Sequence, residues 1–135
     1  MQEISKKLKI IFVVHALVDI LFAIPLFFIP VQFLGLFGWI SVDPIMSRLV
    51  AAALFSIAMM SFLERSADVK SYIIMLRFKI MWSAFALAGL GLSFVHKILP
   101  LAGLPIILIF LVFNLIWVFW YYSLIAQSIE NNSQV

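Results

Sequence analysis

The sequence predicts an all-α fold: an integral membrane, antiparallel four-helix bundle with a short interfacial segment after its first helix. Three observations predict it. Of 135 residues, 66% are hydrophobic and 11% are charged, against ~45–50% and ~25% in an ordinary soluble domain. Four apolar runs are each long enough to span a bilayer, which takes ~20 residues, and with short loops they use up almost the whole chain. The runs are continuous and do not alternate, which excludes barrel strands. A mean hydropathy of +1.21 leaves too few polar groups to cover a soluble globule. A soluble enzyme, a disordered chain and a nucleic-acid binder are therefore excluded. The nine Lys and Arg residues, with a net charge of +3, are not gathered into one basic stripe. The length fits a single domain over residues 1–135.

The first span runs from about Leu8 to Ile29. It follows Lys6, Lys7 and Lys9, like the start of a signal peptide. Its apolar run exceeds the ~7–15 residues of a signal core, and no small-x-small cleavage site follows, so it reads as a retained helix. Pro25 should kink it or loosen its last turns, and Pro30 should end it. Residues 31–39, VQFLGLFGW, are too short to span and read as an interfacial segment anchored by Phe33, Phe37 and Trp39. The second span runs from about Pro44 to Leu63, with Asp43 as N-cap, Pro44 at the first helical position, and Glu64 and Arg65 at its exit. The third runs from about Val69 to Val95, capped by Asp68. The fourth runs from about Pro105 to Ala126, after a turn with Pro100 and Gly103. The tail from Gln127 to Val135 is polar and expected to fray. The two halves show no repeat.

Lys and Arg counting sets the orientation. Lys6, Lys7 and Lys9 precede the first span, and Arg65 and Lys70 flank the turn between the second and third. Arg48 and Lys97 lie at the other side. The bias places both termini in the cytoplasm of a cell membrane. Tyr72, Trp120, Tyr121 and Tyr122 then form an inner aromatic belt, and Trp39 marks the outer one.

Polar groups inside a bilayer are expensive, so each needs an account. His15 and Asp19 are one helical turn apart and share a face. Asp19 lies ~15 Å past Lys9, near the midplane, where a carboxylate must find a cation or hold a proton. Arg77 and Lys79, ~10–14 Å past Lys70, are at matching depth. Arg77 shares a face with Met81, Ala84, Ala88 and Gly91, a small-residue face suited to close helix packing. A planar guanidinium is also the better buried partner for a carboxylate. The expectation is an Asp19–Arg77 contact, with Lys79 snorkelling toward the headgroups. Either this pair is a packing clamp or it belongs to a functional site.

His15 could hydrogen-bond Asp19 or a carbonyl, relay a proton, or ligate a metal or haem. His96 is at the other end of the bundle, so the two cannot clamp one ring. Arg48 reads as an interfacial residue that binds lipid phosphate or pairs with Asp43. Asn114, ~14 Å from the outer side, either glues helices or lines a pocket. Ser56, Ser61 and Ser83 can bond to their own helices, and Ala52 with Ser56 makes a small packing pair. Trp82 and Trp117 read as packing or lipid-facing aromatics. Nucleotide-binding, zinc-protease and nucleophile-elbow motifs are absent, as is Cys. No catalytic residue, metal ligand or cofactor is assigned.

The segment PVQFLGLFGW followed by a helix opening RLVAAALFSIAMM resembles a broad group of small four-helix membrane proteins that includes DoxX-like ones. The resemblance covers most of the chain, and Arg48 is its one characteristic matching position. It implies the fold and carries over no activity. Asp19 in the first helix is similar to the acidic residue of small multidrug transporters, but the chain lacks the Ala-x-x-x-Glu pattern of that family.

The functional expectation is a membrane protein that binds a lipid, a small apolar ligand or a membrane partner through a central cluster of His15, Asp19, Arg77 and Asn114, with a homo-oligomer as a further option. The alternatives are a proton-coupled small transporter working as a dimer, with Asp19 as the coupling carboxylate, and an intramembrane redox or lipid-modifying enzyme.

Overall fold

A computed structural model describes the backbone of residues 4–132 and the side chains of residues 4–129. It contains α1 (Lys6–Phe28), α2 (Pro30–Gly35), α3 (Pro44–Leu63), α4 (Val69–Val95) and α5 (Leu104–Asn132). Single 3-10 turns, Glu64–Ser66 and Leu101–Gly103, precede α4 and α5. Helix is the only regular structure among the described residues. α1, α3, α4 and α5 are long and apolar enough to cross a membrane.

Local chemistry sets the helix ends. α1 continues as helix past Pro25 to Phe28, and its last turn closes with Ile29 N–H donating to the Pro25 carbonyl at 2.9 Å. Ile29 leaves helical geometry, with φ −133° and ψ 51°, because the residue before a proline is disfavoured there. Pro30 then opens α2, where its missing N–H does no harm. Asp43 Oδ1 accepts from the amides of Ile45 (2.8 Å) and Met46 (3.3 Å), and caps α3. Asp68 accepts from the Ser71 amide at 2.9 Å and caps α4. α5 continues beyond Gln127 to Asn132, so the part of the tail expected to fray is helical, while residues 133–135 lie outside the described residues.

The long helices pack as two antiparallel pairs, α1 with α3 and α4 with α5. Small residues bring the first pair together: Ala16 and Ala23 on α1, and Ala51 and Ala58 on α3, are all buried. In membranes such residues let backbones approach closely. Arg48 on α3 ties the same pair, its Nε donating to the Phe27 carbonyl at 3.2 Å. That carbonyl belongs to the last turn of α1, where the helix itself has no donor left.

The two pairs meet at the end carrying the termini. There Leu8 and Phe12 of α1, Tyr72 and Leu76 of α4, and Trp117 and Leu124 of α5 form one buried cluster. The Phe12 ring lies 5.0 Å from Tyr72 and 5.2 Å from Trp117. Tyr72 is therefore core, not part of an aromatic belt, and its hydroxyl donates to the Arg65 carbonyl at 3.2 Å. At the opposite end the pairs part, and the two connecting segments close over the gap. Gly38, at φ +84°, turns the α2–α3 connection against Pro100, a conformation that glycine adopts without a steric cost. Trp39 then lies flush with Gly103, where an added Cβ would come within 2.8 Å of the indole and 3.0 Å of Leu99.

Gly103→Ala should consequently displace Trp39 and lower stability by about 1–3 kcal/mol, the usual cost of overpacking. Gly89→Ala has nothing within 4 Å of its new methyl and should be neutral or stabilise α4 by up to ~1 kcal/mol. Thermal unfolding of the two variants, with Trp emission as readout, checks the pair. Equal melting temperatures would mean that the two connections do not pack as described.

Candidate functional site

The buried stripe of α1 is Leu8, Phe12, Ala16, Asp19, Ala23 and Leu26. This alternation of three and four residues keeps Asp19 on the inner face. His15 stands one turn before it, with Nδ1 2.9 Å from Asp19 Oδ2. The buried face of α4 is Tyr72, Leu76, Lys79 and Ser83, with the same alternation. Tyr72 and Leu76 are drawn into the aromatic cluster, and their burial turns Lys79 inward with them.

Lys79 is 3% exposed. Its Nζ donates to His15 Nδ1 at 3.2 Å and lies 5.2 Å from the Phe12 ring and 5.1 Å from the Trp117 ring. An ammonium has three donors and no acceptor. One meets the imidazole, and the two rings flank the rest of the cation with their electron-rich faces. His15 is itself held edge-on against Phe113 and Trp117, at 4.5 and 5.0 Å. A chain of contacts thus runs from carboxylate to imidazole to ammonium.

This corrects the expected partner of Asp19. Arg77 is exposed, on the outer face with Met81, Ala84 and Ala88. Its Nε donates to the Tyr121 hydroxyl at 2.9 Å, with the guanidinium 5.5 Å from that ring. Arg77 is exposed and Lys79 is buried, the reverse of the sequence-based expectation. The reason is packing: bulky Tyr72 and Leu76 make the better seam with Phe12 and Trp117 than the small face does. The heptad-like spacing of Tyr72, Leu76, Lys79 and Ser83 was the signal in the sequence.

The other candidates divide. Asn114 stays outside the carboxylate cluster. Its Nδ2 donates to the Ile80 carbonyl (3.1 Å) and to Ser83 Oγ (2.8 Å), joining α5 to α4. Ser83 in turn donates to the Lys79 carbonyl at 2.7 Å. Ser56 and Ser61 bond to their own helix at 2.9 and 2.8 Å. Ala52 and Ser56 are exposed and pack no helix pair here. Arg48 caps α1 through Phe27 and does not use Asp43, whose Oδ1 is taken by the α3 amides. Of the four expected cluster members, the structure brings together His15 and Asp19, and Lys79 completes the group.

The site has one deficit. Asp19 is 6% exposed, and its Oδ2 has no hydrogen-bond partner. Oδ2 lies 2.9 Å from Nδ1, and with that nitrogen accepting from Lys79 the neutral imidazole carries its proton on Nε2. Nδ1 cannot serve both neighbours: accepting from Lys79, it has no proton to give.

Asp19, His15 and Lys79 form one wall of a cavity of about 580 Å³ between the helix pairs. The rest of its lining is mostly apolar, with Phe22, Phe33, Trp82 and Phe113 near the polar group and Trp39 at the loop end. A second, almost wholly apolar cavity of about 490 Å³ lies between α3 and α4, with Lys79 and Trp82 again among its walls.

Removing Lys79 leaves a buried carboxylate uncompensated, which typically costs ~3–5 kcal/mol. Lys79→Met should show that loss in thermal or denaturant unfolding, and adding Asp19→Asn should recover part of it. Arg77→Gln, at an exposed hydrogen bond, should cost less than about 1 kcal/mol. A larger loss from Arg77→Gln than from Lys79→Met would reverse the assignment.

Set beside family models, curated proteins and solved structures, the chain finds no match in any of the three comparisons.

Proposed function

We propose that this chain is a multi-pass protein of the cell membrane that binds one small, mostly apolar molecule between its two helix pairs, with no chemistry performed on it. The observation that carries this reading is the combination in the cavity: about 580 Å³ of largely apolar space with one polar group, buried Asp19 and Lys79 with His15, on its wall. Ligand sites are typically ~300–1,000 Å³, apolar, and fixed by a few polar groups. Burying the Asp19–His15–Lys79 group costs free energy that an apolar seam would not, and a binding role accounts for its retention. The second cavity, between α3 and α4, shares Lys79 and Trp82 with the first. The excess of Lys and Arg at the terminal end supports a cytoplasmic placement of both termini. The resemblance to small four-helix membrane proteins fits this reading without adding an activity.

A second reading has its own support. The contiguous carboxylate, imidazole and ammonium could pass a proton, as a proton-coupled transporter working as a dimer requires. Proton flux in proteoliposomes driven by a gradient of a lipophilic compound, absent in Asp19→Asn, would favour it.

Two measurements test the main reading. Mass spectrometry of the purified protein should find a co-purifying small apolar molecule or lipid in wild type that Gly89→Phe loses. Gly89 lines the cavity and a Cβ added there meets nothing within 4 Å, so a phenyl at this position should take up cavity space. Wild type and Gly89→Phe with identical bound molecules, and no compound that raises the wild-type melting temperature alone, would sink it. Cysteines placed at the exposed positions Ser41 and Gln127 should label from opposite sides of the membrane, Gln127 from the cytoplasm. Labelling of both from outside would overturn the topology.

A further inference from the structure

Resting on the ligand-binding reading above, we infer that the ligand is an uncharged, mostly apolar carbonyl compound, a ketone or an ester, whose oxygen accepts a hydrogen bond from His15 Nε2–H. Three features of the site lead there.

The first is the position of one proton. Lys79 Nζ donates to His15 Nδ1 at 3.2 Å, so the neutral imidazole carries its own proton on Nε2. Among the described residues that bond to Lys79 is the one side-chain hydrogen bond His15 makes, and it leaves Nε2–H without an acceptor. Asp19 Oδ2 is the one side-chain polar atom there that is both fully buried and unpartnered. Nε2 is unpartnered too, so it is not closed off as Oδ2 is. His15 lines the cavity. The wall therefore offers a ligand one free donor, while the carboxylate oxygen lies out of its reach.

The second is what stands beside that donor. Asp19 and Lys79 carry opposite charges, and their sum is zero whichever of them holds the proton. A charged ligand would add a charge that nothing deep in the cavity offsets, and an unpaired buried charge is costly. Asp43 does not change this, because it lies at the loop end, exposed and engaged by the amides that open α3. The Ser83 hydroxyl is held by the Lys79 carbonyl and by Asn114, so no acceptor is left open near His15. An alcohol that accepted from Nε2–H would leave its own O–H unmet, which costs about what the bond gives, or more. A water is as poorly served, since it needs two to four polar partners. A carbonyl oxygen accepts and brings no donor.

The third is the lining. From the polar wall the cavity runs along Phe22 and Phe33 toward Trp39 at the loop end, through apolar side chains. This suits a hydrocarbon body attached to the carbonyl.

The test uses the full chain in dodecyl maltoside, a detergent without carbonyls, at neutral pH. Four probes share one chain: ω-bromoundecyl methyl ketone, methyl ω-bromoundecanoate, ω-bromoundecanol and bromoundecane. Bromine quenches tryptophan on contact, and Trp82 and Trp39 line the cavity. Gly89→Phe, with its phenyl in the cavity, measures quenching from the micelle. Corrected for partition into micelles, the ketone or the ester should bind wild type saturably and about tenfold more tightly than the alcohol, the worth of one hydrogen bond. The tighter of the two tells a free ketone from a lipid-type ester. Infrared spectra should place the bound carbonyl stretch below its value in alkane solvent. Nitrogen NMR of isotope-labelled histidine, in a His96→Gln background that leaves His15 alone, should find the proton on Nε2. That signal should move with the ketone or the ester more than with bromoundecane. A proton on Nδ1, a carbonyl stretch at its alkane value, an equal Nε2 shift with bromoundecane, or alcohol binding as tight as both carbonyl probes each overturns the inference. In those cases saturable quenching that Gly89→Phe loses keeps the cavity as a ligand site. If no probe binds saturably, the ligand-binding reading falls and takes this inference with it.

Discussion

A lysine ammonium that is almost completely buried must be given partners, and those of Lys79 come from two other helices. Phe12 and His15 belong to α1 and Trp117 to α5, while Lys79 itself sits on α4. Satisfying one cation therefore constrains how three of the four long helices meet. It sets the rotation of α4, because turning Lys79 inward brings Tyr72 and Leu76 into the seam and sends Arg77 and the small residues out. It positions His15, whose Nδ1 is drawn toward the ammonium, and through His15 it leaves Asp19 Oδ2 without a donor. α3 takes no part in this arrangement and is held to α1 by small residues and by Arg48.

The two ends of the bundle differ for the same reason. Below Lys79, aromatic and branched side chains interdigitate and no space is left around Phe12 and Trp117, both fully buried. Above it, α1 and α4 present Asp19, Trp82 and Gly89 to each other, and these cannot close into a dry seam. The loops cover the gap, with Gly38 and Gly103 allowing Trp39 to lie against the opposite connection. A cavity with a polar wall follows from placing a charged trio at the boundary between a packed half and an open half.

Such a trio is a poor choice for stability alone. A buried ion pair is often no better than hydrophobic residues of the same volume, although losing one partner is severe. The imidazole between carboxylate and ammonium keeps the charges apart and adds two contacts, but each costs desolvation. The hydrogen bonds from Asn114 to Ser83, and from Ser83 to the Lys79 carbonyl, brace the backbone that carries the cation. A bracing network behind a polar group on a cavity wall fits a ligand site better than it fits a clamp.

Composition and periodicity determined the class of fold, the number of long helices and most of their ends. Those properties depend on local chemistry: apolar length, proline geometry, and the caps at Asp43 and Asp68. The shared face of His15 and Asp19 was also legible, because a four-residue spacing on a helix places side chains together whatever surrounds them. Which cation faced Asp19 was not. Arg77 and Lys79 lie at nearly equal depth on opposite faces, and each shares its face with a regular stripe, small residues beside Arg77 and Tyr72, Leu76 and Ser83 beside Lys79. The choice fell to the fit of Tyr72 and Leu76 against Phe12 and Trp117, a contact among three helices distant in sequence. The same holds for Asn114, whose partner on α4 depends on the α4–α5 register, and for the cavity, which is a property of the space between helices. Local pattern decides what forms a helix, and only packing decides which of its faces is inside.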